Sequence, residues 1–269
     1  MQHRRLGKSA IYVSDICMGT MTFGSQADEA TAHRILDMSY EAGINFFDTA
    51  EGYPVPPDPK WVGRTEEIVG KWLKTKPRDA IILATKVSGP SHVWFRSPKR
   101  AGMTALDRRN IMTAVEESLQ KLGTDYIDLY QTHIWDPSTN LEEMIEAFDA
   151  LVRSGRVLYV GITDMPAWQF VSCVMHQKLR GLAAFVSVQN HYNPIWREDE
   201  RELMPFARAE KIGLISYSPM ARGDLCGPAR RSGATTSARW RTDDCAHKLY
   251  GRPSDDAVAA AVITIAKNR

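Results

Sequence analysis

The sequence predicts an α/β fold of the TIM-barrel type, with parallel strands and helices alternating in one domain. Short β-branched or aromatic apolar runs alternate with longer amphipathic stretches along almost all of the 269 residues. This alternation is typical of parallel strands joined by helical crossovers. No G-x-G-x-x-G motif follows the first apolar run, which argues against an open dinucleotide-binding sheet.

Seven strand–helix units are predicted in chain order. The strands are Ile16–Met21, Ile44–Thr49, Ala80–Val87, Tyr126–Thr132, Val157–Thr163, Phe185–Gln189 and Ile212–Tyr217. The helices lie near Glu29–Ala42, Arg64–Lys74, Arg108–Leu122, Leu141–Ser154, Trp168–His176, Asp199–Glu210 and Ser254–Lys267. Near-continuous apolar runs such as AIILATKV fit strands that are covered on both faces. A small hairpin at about residues 4–13, with Gly7-Lys8 at its centre, precedes the first barrel strand.

Helix boundaries are marked by residues that favour them. A left-handed residue is preferred just after the last helical turn, and glycine adopts it at no steric cost. The glycines that follow an amphipathic run in this way are Gly43, Gly123, Gly155 and Gly213. Thr139, followed by Glu142 and Glu143, is a candidate start for the fourth helix.

A closed barrel of this type has eight strands, and only seven are found. The chain stops at AKNR, in or just after the seventh helix. We therefore expect a barrel that lacks its C-terminal eighth βα unit. A fragment, or a strand missed elsewhere, are the alternatives.

Composition excludes several classes of function. The 34 basic residues are scattered among 32 acidic ones and give a net charge of +2, so no nucleic-acid partner is expected. The most apolar stretch, Val258–Ala266, is far shorter than the roughly 20 residues of a membrane span. The four cysteines form no C-x-x-C pair, and the histidines lack metal-ligand spacing. We expect a cytoplasmic protein with free thiols and no metal.

Four chemically distinct side chains fall at predicted strand ends. In a TIM-type barrel these ends converge on one face. Asp48 ends the second strand and Tyr53 follows it, whereas Lys86 and His133 end the third and fourth. An acid, a phenol, an amine and an imidazole are therefore predicted to share one site.

This set of groups suits the reduction of a carbonyl. Hydride transfer to the carbonyl carbon leaves charge on oxygen, which a tyrosine can protonate, although its ordinary pKa of about 10 is high. A nearby cation, here Lys86, lowers the pKa of a phenol. Asp48 can hold the ammonium in place, and His133 can donate a hydrogen bond to the carbonyl oxygen.

Several longer stretches carry a family resemblance. GTMTFG, NFFDTAEGYPVPP, LATKVSGPS, DYIDLYQTH, VQNHYN and YSPMARGDL are similar to stretches of bacterial, NADPH-dependent aldo-keto reductases, and the similarity runs from about Arg4 to the last residue. The resemblance implies a catalytic tetrad of Asp48, Tyr53, Lys86 and His133. The cofactor contacts that it implies are Thr20, Met21, Asp48, Thr163, Asp164, Gln189, Tyr217, Ser218, Pro219, Met220, Ala221, Arg222 and Gly223, with Tyr217 stacked on the nicotinamide and Ser218 to Gly223 beside the pyrophosphate.

The resemblance implies NADPH as cofactor, without excluding NADH, and a small aldehyde or ketone as substrate. Thr163-Asp164 departs from the Ser-Asn or similar neutral pair usual in the family. Trp94, Phe95 and Trp135 follow strands three and four and either line a substrate pocket or fill loop cores. We expect a monomer or a weak homo-oligomer.

Two other functions are compatible with parts of the sequence. One is a non-catalytic, nucleotide-binding regulatory subunit that resembles the β subunits of potassium channels. His133 argues against it, because those subunits carry a different residue there. The other is an inactive truncated barrel.

Overall fold

The computed structural model describes residues 1–55, 58, 60–88, 106–134, 136–226 and 243–268. The strands in these residues are β1 (His3–Arg5), β2 (Tyr12–Ser14), β3 (Cys17–Gly19), β4 (Phe46–Asp48), β5 (Ile82–Ser88), β6 (Ile127–His133), β7 (Val157–Thr163), β8 (Phe185–His191) and β9 (Gly213–Tyr217). The α-helices are α1 (Glu29–Glu41), α2 (Arg64–Leu73), α3 (Arg108–Leu122), α4 (Leu141–Arg153), α5 (Ala167–Arg180), α6 (Leu203–Ala209), α7 (Asp244–Leu249) and α8 (Pro253–Lys267).

The sheet confirms the predicted fold class. Strands β3 to β9 form one seven-stranded sheet whose spatial order is their chain order, and strands β3 to β7 pair in parallel. Helices connect successive strands, as in a (β/α) barrel. The predicted hairpin is the antiparallel pair β1–β2, in which Arg4 lies opposite Val13.

Two compact units can be distinguished in the chain. The first comprises Met1–Val188 and Phe206–Leu214, and the second comprises Gln189–Pro205 and Ile215–Arg269. Each is described separately below. No helix in the described ranges is long and apolar enough to cross a membrane. Cys17, Cys173 and Cys226 are free thiols, as expected.

Side-chain caps and glycines set the helix ends of the first unit. Asp28 and Asp107 begin α1 and α3 by accepting bonds from the Thr31 and Asn110 amides, at 2.8 and 2.9 Å. Helix α4 begins at Leu141 as predicted, but its cap is Asn140 and not Thr139, whose hydroxyl accepts a bond from the Leu106 amide instead. Three of the predicted glycines have positive φ after a helix, namely Gly43, Gly123 and Gly155.

The prediction for Gly213 was wrong. This residue begins β9, and the positive φ after α6 belongs to Lys211. A Cβ atom at Gly213 would lie 2.6 Å from Leu6 Cδ1 and 3.0 Å from the Gly7 nitrogen. Close packing against the hairpin, rather than a helix end, therefore requires glycine here.

The helix predicted at Asp199–Glu210 is shorter than expected. A 3₁₀ turn occupies Glu198–Glu200, and α6 begins only at Leu203. Pro205 explains this start, since proline lacks an amide hydrogen and is tolerated in the first helical turn but not in the interior.

Helices α1 and α2 pack on the sheet through a cluster that includes Trp72, Phe47 and Leu36. The Trp72 and Phe47 rings lie 4.9 Å apart, and the Trp72 indole donates a 2.9 Å bond to Asp37. At Gly70 a Cβ atom would lie 2.2 Å from the Lys121 carbonyl oxygen, so α2 and α3 approach closely there. This packing holds the outer side of β5, the strand that carries Lys86.

The second unit has a smaller core. Ala221, Leu225, Tyr250 and Ala259 are buried together, with Val258 and Val262 of α8 packed against them. Helix α8 begins with Pro253 in its first turn, and the Asp255 carboxylate accepts bonds from the preceding backbone amides. The core therefore anchors the segment after β9 to the last helix.

Candidate active site

The centre of the candidate site is a buried ion pair between two strand ends. Lys86 is fully buried, and its Nζ donates to Asp48 Oδ1 and, at 2.8 Å, to the Thr49 carbonyl oxygen. Burial lowers the pKa of Lys86, but the Asp48 carboxylate and Tyr53 more than offset this, so the pKa is raised. The amine therefore stays a cation throughout the neutral range.

Tyr53 and His133 lie beside this pair. The Lys86 ammonium is 5.1 Å from the Tyr53 ring centroid. The Tyr53 and His133 rings meet edge to face, with their centroids 5.4 Å apart. The loop that carries Tyr53 is fixed by backbone bonds, including one of 2.9 Å from Gly63. All four members of the predicted tetrad thus come together in the first unit.

Burial sets the protonation of the two ring side chains. Burial raises the pKa of Tyr53, and this outweighs the charge of Lys86, which lowers it. The expectation that Lys86 gives the phenol a lowered pKa was therefore wrong in its net direction, because the phenol is almost completely buried. Burial, followed by the charge of Lys86, lowers the pKa of His133 to about 3. Near neutral pH the phenol holds its proton and the imidazole is uncharged.

The structure adds a residue that the sequence analysis missed. Gln131 is fully buried on β6, and its Nε2 donates a 3.2 Å bond to Asp48 Oδ2. Asp48 is thereby held through both carboxylate oxygens. Side chains alternate along a strand, so a residue two positions before His133 faces the same side. That alternation was the available signal.

Thr20 and Met21, for which the family resemblance predicts cofactor contacts, directly follow β3. The Thr20 amide and hydroxyl both donate to the Asp48 carbonyl oxygen at 3.0 Å. The Met21 carbonyl accepts a 2.9 Å bond from the Val55 amide. The loop after β3 is therefore tied to the strand and loop that carry Asp48 and Tyr53.

Thr163 and Asp164 end β7 in the same unit. Thr163 Oγ1 is buried and has no hydrogen-bond partner among the described residues. Asp164 has a left-handed φ of 48°, and its negative charge is one of the lesser causes that raise the pKa of Tyr53. This strand end therefore offers an unused hydroxyl and an acid near the tetrad.

The remaining predicted cofactor residues belong to the second unit. Gln189 is buried on β8, and Tyr217 ends β9. The next residues form a tight turn in which the Ala221 amide donates to the Ser218 carbonyl at 2.8 Å and the Gly223 amide donates to the Met220 carbonyl at 2.9 Å. Left-handed φ values occur at Ser218, Ala221, Arg222 and Gly223.

The Arg222 side chain of this turn has an internal partner. Its Nη1 forms a buried ion pair with Asp243 at 2.6 Å, while Nε is buried with no hydrogen-bond partner in the described residues. Met220 is about half exposed. The pocket candidates Trp94, Phe95 and Trp135 lie outside the described residues. The described residues contain no cluster of three or more His, Cys, Asp or Glu that could hold a metal ion.

Comparison with known proteins gives concordant matches. A sequence profile of the Aldo/keto reductase family matches residues 15–262. The uncharacterized oxidoreductase YrpG of Bacillus subtilis is 38% identical over 245 residues, which cover 90% of this chain and 74% of that protein. Norsolorinic acid reductase A of Aspergillus parasiticus is 36% identical over 232 residues, 83% of this chain and 58% of that protein. Protein tas of Escherichia coli is 35% identical over 280 residues, 97% of this chain and 80% of that protein.

Proposed function

The chain belongs to the aldo/keto reductase family and is an oxidoreductase, and from this premise we propose that it reduces an aldehyde or ketone with NADPH, using Tyr53 as the general acid. The observation that carries the proposal is the buried cluster in which the Lys86 ammonium lies 5.1 Å from the Tyr53 ring and His133 packs edge to face on the same ring. A protonated phenol, a fixed cation and a neutral imidazole are the groups that this reaction needs.

Thr163 supports the choice of a nicotinamide cofactor. A buried hydroxyl without a partner is a costly feature unless a ligand satisfies it. A carboxamide can do so, because it carries both donors and an acceptor. Thr163 would hold that group, with Thr20 and Met21 beside it. When bound, NADPH supplies the hydride.

The protein's own groups then handle the charge that develops on the substrate oxygen. Tyr53 gives its proton to this oxygen, since its raised pKa keeps the phenol protonated before reaction. The Lys86 cation stabilises the phenolate that remains, and Asp48 keeps that cation in place. Neutral His133 donates an N–H to the same oxygen and so fixes the carbonyl against Tyr53.

Replacement of the acid tests the proposal. Tyr53→Phe removes the transferable proton but keeps the ring and its contact with His133. We expect turnover with a panel of aldehydes to fall by at least about 100-fold, the usual contribution of a general acid. The affinity for NADPH, measured by calorimetry beside NADH, should stay within a few-fold of the parent protein. Undiminished turnover in Tyr53→Phe would exclude Tyr53 as the acid, and lack of binding of either nucleotide would exclude the cofactor assignment.

A further inference from the structure

A stack of rings in the second unit surrounds a histidine that the sequence analysis left unassigned. His191 ends β8 and is buried. Its imidazole stacks on the Tyr217 ring, with 5.2 Å between centroids and 10° between planes, and on Trp196 at 5.0 Å and 21°. Tyr250 meets it edge-on at 5.8 Å. The Tyr217 ring therefore lies nearly parallel to the His191 imidazole and in contact with it.

Hydrogen bonds connect the ring stack to the turn that follows β9. The Tyr250 hydroxyl bonds His191 Nε2 and also accepts a 3.0 Å bond from Asn193 Nδ2. The same Asn193 amide nitrogen donates to the Ser218 carbonyl at 3.0 Å. Asn193 Oδ1 accepts the Ile195 and Trp196 amides at 2.9 and 3.0 Å, which fixes the orientation of the side-chain amide. His191 and Asn193 thus link β8 to the first residue of the turn.

The turn needs such support. Ser218, Ala221 and Arg222 all carry a Cβ atom and have φ values of 53°, 48° and 54°. This left-handed region is disfavoured for residues with a side chain and persists only where the surroundings enforce it. The Ser218 carbonyl, which accepts both the Asn193 side chain and the Ala221 amide, is the point at which the support is applied.

We propose that His191 and Asn193 are positioning residues for cofactor binding, His191 by fixing the plane of the Tyr217 ring and Asn193 by holding the left-handed turn from Ser218 to Gly223. This inference rests on the proposed function, since it assigns Tyr217 and the turn to a nicotinamide nucleotide. Neither residue touches the reacting atoms in this proposal, so their effect falls on nucleotide affinity and not on the chemical step.

Two variants separate the contribution of His191 to the Tyr217 ring from that of Asn193 to the turn. His191→Leu replaces the flat imidazole that covers Tyr217, together with its bond to the Tyr250 hydroxyl, by an apolar side chain of similar size. Asn193→Asp keeps the oxygen that accepts the Ile195 and Trp196 amides but removes the N–H that reaches Ser218. Tyr192→Phe is the matched control, because it lies between them and loses only a hydroxyl bonded to Glu200 at 2.7 Å.

Calorimetric titration with NADPH is the first measurement. We expect Kd to rise about tenfold or more in His191→Leu and in Asn193→Asp, as for a site that loses its preorganisation. At saturating NADPH, kcat should stay within a few-fold of the parent protein, whereas Tyr192→Phe should change neither value. An unchanged Kd in both variants overturns the proposal.

Hydrogen exchange without nucleotide is the second measurement, and it does not depend on activity. The Ala221 and Gly223 amides close the turn, so their exchange should accelerate in Asn193→Asp and not in Tyr192→Phe.

The outcomes distinguish this proposal from the proposed function. Unchanged exchange in Asn193→Asp overturns the role of Asn193, but if the parent protein binds NADPH the proposed function stands. Faster exchange without a change in the Kd for NADPH would mean that the bonds of His191 and Asn193 stabilise the turn without affecting cofactor binding, and this also overturns the proposal. A parent protein that binds neither NADPH nor NADH overturns both. If His191→Leu does not fold, Asn193→Asp and Tyr250→Phe carry the test.

Discussion

Removal of the Asp48 carboxylate should lower the free energy of unfolding, because it leaves the buried Lys86 ammonium without its ion-pair partner. In Asp48→Ala, Lys86 keeps the Thr49 carbonyl as a partner but loses the only carboxylate paired with it in the described residues. Lys86 is fully buried, and breaking a buried ion pair from one side costs about 3–5 kcal/mol. For a chain of this size that corresponds to a fall of roughly 6–20 °C in Tm.

The pH dependence of the stability of Asp48→Ala gives a second, independent test. In the parent protein the pKa of Lys86 is raised. The stabilisation that the ion pair gives is therefore complete below the ordinary pKa of lysine and is lost only as pH rises through the raised pKa. Near neutral pH this stabilisation does not change. Without Asp48, burial is left to lower the pKa of Lys86. The unfolded chain then binds more protons, and the stability of Asp48→Ala should recover as pH rises from about 7 to 10.

Urea unfolding of the single and double variants is the assay. Asp48→Ala/Lys86→Met removes both charges and should be more stable than Asp48→Ala alone, because no unpaired charge stays buried. Its turnover should remain as low as that of either single variant. Asp48→Asn, which keeps the volume and one acceptor, should fall between Asp48→Ala and the parent. A free energy of unfolding for Asp48→Ala within about 1 kcal/mol of the parent would refute this reasoning.

Three further predictions concern the same unit. Burial raises the pKa of Glu66, so the stabilisation by this side chain is complete below the ordinary glutamate pKa and is lost as pH rises through the raised one. Glu66→Gln keeps the 2.7 Å bond from Thr85 and should therefore raise the free energy of unfolding at pH 8 but not at pH 4. Urea titrations at both pH values test this, and an equal effect at the two would contradict it. Gly70→Ala places a Cβ atom 2.2 Å from the Lys121 carbonyl oxygen and should lower the free energy of unfolding by about 1–3 kcal/mol in the same assay. Gly155→Ala is the control: its Cβ atom meets no atom within 4 Å, so it measures only the effect of a positive φ on a residue with a side chain. The pKa of His133 is lowered to about 3, so the parent should lose stability as pH falls from about 6.5 towards that value. His133→Gln should show a shallower fall in Tm over this window, and an identical slope would contradict a neutral, partly buried imidazole.

The strand–helix alternation predicted most of the fold because each element of the first unit repeats the same local signal. The bounds of β7 and α3 agree with the prediction to the residue. Both elements are bounded by residues that favour an element end. Helix α3 runs from the capping residue Asp107 to Gly123, which has a left-handed φ, and β7 begins two residues after Gly155. The failures occurred where tertiary contacts override local preference. At Gly213 the hairpin packs too closely to admit a Cβ atom, and no pattern within one helix or strand reports such a contact.

The tetrad could be predicted because a barrel places strand ends together regardless of how far apart they are in the chain. The environment of those residues could not, because desolvation depends on everything packed around a side chain. Tyr53 shows this: the sequence identified Lys86 as a neighbour that lowers the pKa of the phenol, and burial reverses the net direction. For an acid that must hold its proton until the substrate oxygen becomes basic, the raised pKa suits the proposed step better than the lowered one.

Side chains that position other side chains are the class that sequence reading misses most readily here. Gln131 faces the tetrad because it lies two residues before His133, so strand periodicity alone could have identified it. The pairing of His191 with Tyr250 has no such signal, because 59 residues separate them and their contact depends on the fold of the second unit. Motif spacing therefore finds the groups that we propose to react, since these lie at or just after strand ends. Among the groups that position other side chains, Gln131 can be found from strand periodicity, whereas the contact between His191 and Tyr250 is found only once long-range contacts are known.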